Sequence, residues 1–446
     1  MKKLWQKKIE THTFIEQFTT GNDPMFDLEL APFDVLGSLA HIQMLNSVDL
    51  LSAEEYKILA ENLRAIYKTI EAGDFKIEEG VEDVHSQIEL QLTQKLGDVG
   101  KRIHAARSRN DQVLVDLKLF YRAQLEKIVT ATQTLFETYL TQSEKYKDII
   151  LPGYTHTQIA MPSSFGLWFG AYAETLCDDA YFLLAAYNVV NQNPLGSAAG
   201  YGSSLPIDRA LTTKLLGFAD MNYNVVHAQM GRGKTEYAIA VAIATIAATL
   251  SRCATDACLF INQNFDFISL PDALTTGSSI MPHKKNPDVF EILRAKCNQL
   301  ITTPAQVSSL TNNLISGYHR DYQILKEIIF PALHILEDCL TMMQFMITRI
   351  EVKQNITERP LYDTLFTVEA VNNLVQKGMP FREAYHTVSQ QLAEGTYTPN
   401  REINHTHAGS IGNLSTEKIK NKWTKIEKQF PFKAVHNAEK SLIGIS

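Results

Sequence analysis

Along most of the chain apolar residues recur every three or four positions, and stretches that alternate apolar with polar between two-residue turns are nearly absent. The pattern predicts an all-α fold. A helix is predicted from about 53 to 72: Ser52 and Glu55 have the spacing with which two side chains satisfy the free amides of a first turn, and Gly73 offers the stop. Between Val113 and Ile150 there is no Gly or Pro, while Leu114, Leu117, Tyr121, Leu125, Ile128, Leu135 and Tyr139 recur in helical steps. A single rod of that length would reach about 57 Å. A second rod is predicted from about Lys234 to Phe267, with an Ala-rich beginning suited to close approach of helix backbones. Apolar positions cover more than one stripe of these rods, which implies burial on several sides, as in the middle of a bundle or an oligomer.

The first hundred residues read as short helices broken at Gly21, Pro24, Pro32, Gly73 and Gly80, and the last ninety resume after Arg359-Pro360. These changes predict three regions in the protomer: an N-terminal helical domain over 1–105, a central long-helix bundle over 106–355 and a small C-terminal helical domain over 356–446. The Thr-, Asn-, His- and Gly-rich stretch from Gly395 to Ser415 reads as an exposed loop.

Composition narrows the function. Apolar residues make up 45% and charged residues 20%, enough apolar surface for a large core and too little charge for a disordered chain. A formal charge of −7 gives no general attraction to nucleic acid or an anionic membrane, so any anion site is local. The apolar run from Tyr237 to Leu250 is shorter than the roughly 20 residues a membrane span needs and leads into Arg252 and Asp256, so it is expected to be a buried helix. The basic start of the chain passes into Glu10, Thr11 and His12 instead of an apolar signal core, and a cytoplasmic protein is expected. Five cysteines without a Cys-x-x-Cys pair are expected to be reduced and mostly buried.

Four polar clusters interrupt the helical pattern at helix ends, where backbone amides or carbonyls are free. In His104–Gln112, Arg109 can grip a carboxylate through two parallel bonds, with Asn110 as a further donor; a cap made by Ser108, Asn110 or Asp111 explains the cluster equally well. In Gly153–Gln158, His156 stands among hydroxyls in a loop between Pro152 and Pro162, suited to moving a proton or simply to solvation. In Thr275–Pro287, Gly277 permits hinge motion, two serines place hydroxyls at the tip, and Lys284 and Asn286 can share an anion; Glu291 follows on a helix expected to start near Pro287. In Gly317–Lys326, a helical conformation would align Tyr322 with Lys326, and Tyr318 less well with Gln323, as a row of donors. Gly233-Lys-Thr235 lacks the earlier glycine of a phosphate-binding loop, His405-Thr-His407 lacks metal-binding neighbours, and no cofactor or metal is implied.

Ser108-Arg-Asn-Asp-Gln-Val113, Gly153-Tyr-Thr-His156 and Gly277-Ser-Ser-Ile-Met-Pro-His-Lys-Lys-Asn-Pro-Asp288, in that order, resemble the aspartase/fumarase superfamily. Within it these forms, with Asn193-Pro-Leu-Gly-Ser197 and Leu205-Pro-Ile-Asp-Arg209, are most similar to the argininosuccinate lyase family. The resemblance covers about residues 26 to 330. It implies an all-α protomer whose long helices assemble into a homotetramer, with each active site shared between subunits. It also implies reversible elimination of the small-molecule substrate argininosuccinate to arginine and fumarate.

Carried over motif by motif, the resemblance makes Ser278 the base, His156 the group that protonates the departing nitrogen, Glu291 its orienting carboxylate and Lys284 the cation of the catalytic set. Asn286 would join Lys284 in stabilising the dianionic intermediate. Arg109, Asn110 and Thr155 would bind the succinyl carboxylates, Tyr318, Gln323 and Lys326 the arginine portion, and Ser38 and His85 are further expected substrate contacts. Family members usually carry Tyr-Asn-Lys-Asp-x-Gln where this chain has Tyr318-His-Arg-Asp-Tyr-Gln323, so His319 and Arg320 are departures. A sibling such as adenylosuccinate lyase, and a crystallin-like homologue without turnover, stay open as alternatives.

Overall fold

A computed structural model describes residues 13–444, and the stretch through His12 lies outside them. The N-terminal part consists of α1 (Thr13–Thr20), α2 (Asp23–Ser47), α3 (Ala53–Glu71), α4 (Val84–Leu96) and α5 (Asp98–Lys101). The rods follow as α6 (Arg109–Lys145), α7 (Phe165–Val190), the short α8 (Arg209–Leu215) and α9 (Val225–Met230), α10 (Lys234–Ile261), α11 (Asp288–Leu300), α12 (Thr303–Thr311) and α13 (Ile324–Ile347). The chain closes with α14 (Thr367–Gln376), α15 (Phe381–Ala393), α16 (Thr416–Glu427) and α17 (Phe432–Ile443). Among the described residues strands are few: the hairpin β1 (Ile150–Thr155) with β2 (Gln158–Ser164), and two pairs of two-residue strands, one parallel and one antiparallel. The fold is all-α.

Local chemistry explains most boundaries. Ser52 and Glu55 close a reciprocal cap at the start of α3, as their spacing predicts. α6 begins at Arg109, four residues before the apolar pattern does, because Ser108 caps it and Asp111 bonds back to the Ser108 amide at 2.8 Å. The expected breaks at Pro24 and Pro32 do not occur. Pro24 sits in the first turn of α2, where an amide would be unpaired anyway. Pro32 lies inside the helix, but the residue whose carbonyl it leaves unpaired, Leu28, is exposed, and buried Phe26, Leu30, Val35 and Leu36 hold both sides of the interruption in the core.

α6, α7, α10, α11 and α13 pack into one large core, and the apolar run inside α10 contributes Ile239, Ile243, Ile246 and Leu250, all fully buried. By length and composition α10 and the helix over Arg320–Ile347 could each cross a membrane; here much of each is buried against protein. Four of the cysteines are buried, Cys258 is partly so, and all five are free thiols. Phe120 of α6 stacks on Phe330 of α13 at 4.2 Å, and Phe26 of α2 meets Phe330 edge-on at 5.5 Å. These rings lock three helices together beside the polar groups described next. The C-terminal helices return to the body: Trp423 of α16 stacks on Phe136 at 4.8 Å, and Leu442 of α17 is buried against the N-terminal helices.

Candidate active site

Two polar networks run along one face of α2, where Asp23, Asp27, Asp34 and Ser38 follow one another in helical steps, and a third joins the starts of α4 and α6. At the N-terminal end, Lys326 of α13 is almost fully buried and pairs with Asp23 at 2.5 Å and Asp27 at 2.7 Å. Asp27 also accepts from the Val84 amide at the start of α4. Further along, His85 of α4 donates to Asp34 at 2.8 Å and lies 3.4 Å from Asp116 of α6. Arg107 completes this second network by donating to the hydroxyl of Ser38 at 3.0 Å.

The third network holds Arg109. Asp83 caps α4 by accepting from the Ser86 amide at 2.8 Å, and its other oxygen receives the Arg109 guanidinium; Arg109 also donates to the Ser86 hydroxyl at 2.8 Å. The cap reading of the first cluster is correct for Ser108 and Asp111, which leaves Arg109 and Asn110 half-buried at the first turn of α6. The second oxygen of Asp111 accepts from the amides of Gly196 and Ala198, each at 3.0 Å, so the Asn193–Ser197 motif is anchored to this helix start. Gly196 is required there: its φ is +87°, and a Cβ would stand 2.8 Å from the Arg209 side chain.

Burial opposes a charged imidazole at His85, but the charge and hydrogen bond of Asp34, with Asp116 beyond, outweigh it and raise the pKa to about 9. Burial, followed by repulsion from Asp34, pushes Asp116 well above the usual carboxylate range. The folded value at His85 exceeds the unfolded one of 6.5, so its contribution to stability is complete below about pH 6.5 and is lost as pH rises through 9. A shift of this size corresponds to roughly 3 kcal/mol. Denaturant titrations between pH 6.5 and 9 should show stability falling, with a flatter profile for His85→Gln; identical slopes would contradict the pairing.

The remaining groups stand elsewhere. His156 lies in the two-residue turn of the β1–β2 hairpin, not in an irregular loop, since Pro152 pairs with Pro162 and Thr155 with Gln158 across the strands. His156 and Thr157 have φ of +52° and +61°, a conformation that fits a tight hairpin but is rare outside Gly, Asn and Asp. The turn presents Thr155 and His156 to solvent. In the third cluster, backbone bonds between Thr276 and Asn286 close the base of a loop, and Asn286 reaches back to the Gly277 carbonyl. At the tip the Ser278 oxygen accepts from the amides of Ile280 at 3.3 Å and Met281 at 3.1 Å. Lys284 and Glu291 are exposed, and neither has an ion-pair partner among the described residues.

The fourth cluster is not one helix. His319 is extended, Arg320–Gln323 form a 3-10 turn and α13 begins at Ile324, so Tyr318 lies off the helix face while Tyr322 and Lys326 follow each other one turn apart. Within the protomer, among the described residues, no hydrogen bond or ion pair joins Ser278, His156, Lys284 and Glu291 to one another. Ser38, His85 and Lys326 are brought into buried networks; Arg109 is tied beside them.

The sequence motifs do not point to Asp23, Asp27, Asp34, Asp83, Arg107 and Asp116, which organise these networks. The available signal was the recurrence of Asp and Ser at steps of four and seven through the otherwise apolar α2.

Residues 6–302 match the family described as "Lyase". The chain is 56% identical to argininosuccinate lyase of Bacteroides thetaiotaomicron, over 99% of each chain. It is 39% identical to argininosuccinate lyase of Thermotoga neapolitana, over 87% of this chain and 98% of the relative. Among solved structures it superposes on EDDS lyase in complex with formate with a TM-score of 0.77 at 20% identity, covering 98% of this chain and 95% of that one. A fumarate lyase, delta crystallin from Brucella melitensis bound to cobalt, gives a TM-score of 0.70 at 18% identity, covering 92% of each chain. At such identities these two structures speak for the fold.

Proposed function

This chain belongs to the argininosuccinate lyase family of carbon–nitrogen lyases, and from that premise we propose that it cleaves argininosuccinate reversibly into arginine and fumarate, with Ser278 as the base. The observation that carries the assignment of the base is the Ser278 oxygen facing two backbone amides. A serine hydroxyl is ordinarily far too weak to take a proton from carbon, and donors aimed at its oxygen favour the alkoxide.

The alkoxide removes a proton from the succinyl Cβ, and the electron pair passes into the adjoining carboxylate, which becomes a dianion. Lys284, whose ammonium is exposed on the same loop, and Asn286 stabilise that charge. The pair then forms the carbon–carbon double bond as the C–N bond breaks. His156 delivers a proton to the departing guanidino nitrogen, oriented by Glu291. Arg109, Asn110 and Thr155 hold the succinyl carboxylates, while Tyr318, Gln323 and Lys326 face the arginine portion. Ser38, which accepts from Arg107 just before α6, and His85, in the first turn of α4, act from within the α2 network by holding the segments beside Arg109 and Asn110.

The active unit is a homotetramer in the cytoplasm, with three chains contributing to each site. Two features support the assembly: among the described residues no hydrogen bond or ion pair joins the catalytic groups within one protomer, and the rods expose Tyr181, Phe182, Leu259, Ile292 and Met342, apolar residues that a neighbouring helix would cover. The test is ultraviolet detection of fumarate when the purified protein meets argininosuccinate. Fumarate released from adenylosuccinate alone would replace this reading with that of the sibling enzyme, and none from either substrate would favour the crystallin-like alternative.

A further inference from the structure

The turn that precedes α13 carries two donors seated on the chain's own backbone. The Gln323 amide donates to the carbonyls of Thr19 and Thr20, each at 3.0 Å. Arg320 donates to the Thr19 carbonyl from Nε at 3.3 Å and Nη2 at 3.0 Å. These two oxygens belong to the last turn of α1, where helix carbonyls have no partner within the helix. The Thr19 oxygen takes both guanidinium donors and the amide, and the Thr20 oxygen takes the amide alone, so two adjacent oxygens occupy a donor set that could equally hold a carboxylate.

The segments on either side of Gly21 are held differently. α2 is fixed, because Asp27 is buried and bonded to Lys326 while Phe26 and Leu30 lie in the core. α1 has eight residues, fewer than the roughly 12–15 that sustain an isolated helix, and it exposes Phe14 and Phe18. Gly21, with φ of +53°, supplies a joint between them.

We propose that Arg320 and Gln323 form the receptor for the α-carboxylate of the arginine portion, and that α1 is an intramolecular occupant of this receptor which substrate displaces. The proposal rests on the functional reading above, which places Gln323 beside the arginine portion. A carboxylate has the advantage in the exchange, since charge-assisted bonds are about twice as strong as those to a neutral carbonyl. Arg320, a departure from the family's usual lysine, supplies a planar fork that an ammonium does not.

Hydrogen exchange on the full-length enzyme tests the displacement. Saturating L-arginine should speed exchange of the amides of residues 13–20 several-fold, while agmatine, which lacks the carboxylate, should leave them unchanged. Unchanged or slower exchange with bound arginine would overturn the proposal. Arg320 is exposed, so Arg320→Gln should fold normally. It should raise KM for argininosuccinate and weaken inhibition by arginine about tenfold, with kcat within twofold and inhibition by agmatine unaltered; Arg320→Lys should recover part of the loss. Equal losses for arginine and agmatine, or no loss, would overturn the receptor. A wild-type enzyme that released no fumarate would instead remove the functional reading on which the proposal depends.

Discussion

Replacing Ser278 by alanine should lower kcat for fumarate release about a thousand- to ten-thousandfold, the upper range for losing a positioned proton acceptor. The variant loses the only atom proposed to receive the Cβ proton. The amides of Ile280 and Met281 then face no side-chain oxygen, and a water taking its place is not fixed where the hydroxyl would reach the Cβ proton. Stability should hardly change. Ser278 is part-exposed, its bonds are confined to its own loop, and substitutions at such positions usually stay within about 0.5 kcal/mol. Fumarate absorbance together with a thermal melt and sedimentation velocity separates the two effects. A folded, assembled Ser278→Ala protein with activity within tenfold of the parent would exclude Ser278 as the base.

The loop can tolerate such a change because its shape is set at its base. Thr276 and Asn286 pair through the backbone, Thr276 also bonds Asp288, and Lys285 pairs with Asp272. Ser278, Lys284 and Asn286 are therefore carried together, and closure of the loop would move them as a set toward whatever carboxylate the site holds.

Much of this was legible from residue order because the determinants are local. The Ser52–Glu55 spacing placed the start of α3, and the uninterrupted apolar steps after Val113 placed α6, whose true start came from the Ser108–Asp111 cap. What escaped is non-local. A proline ends a lone helix, whereas burial of α2 on both sides of Pro32 outweighs one missing hydrogen bond. The seven residues around Pro162 have little strand propensity of their own, so the sequence there reads as a loop; pairing with β1 creates the strand and puts His156 in its turn.

The acidic side of the site was missed for a related reason. An aspartate on a helix ordinarily marks a solvated face, and only the approach of His85, Arg107 and Lys326 from three other segments makes buried partners of Asp27 and Asp34 and a partly buried one of Asp23. The same convergence explains why Lys326, read from its motif as a substrate donor, is found holding α13 to α2. Its contact with substrate would come through the edge of that ion-paired cluster, beside Asp23, whose side chain remains partly exposed.

The proposed function makes one requirement above the individual roles: a loop serine and a hairpin histidine that no hydrogen bond or ion pair joins within one chain, among the described residues, would have to meet across subunits. Subunit mixing addresses it directly. Tetramers of Ser278→Ala and of His156→Asn, each inactive alone, are dissociated, combined in equal amounts and reassembled, with exchange verified by mass. If different chains supply the two groups, about a quarter of the sites receive both intact residues, and fumarate release should return to roughly that fraction of the parent's. Verified exchange with no recovery would mean that each site is built by a single chain.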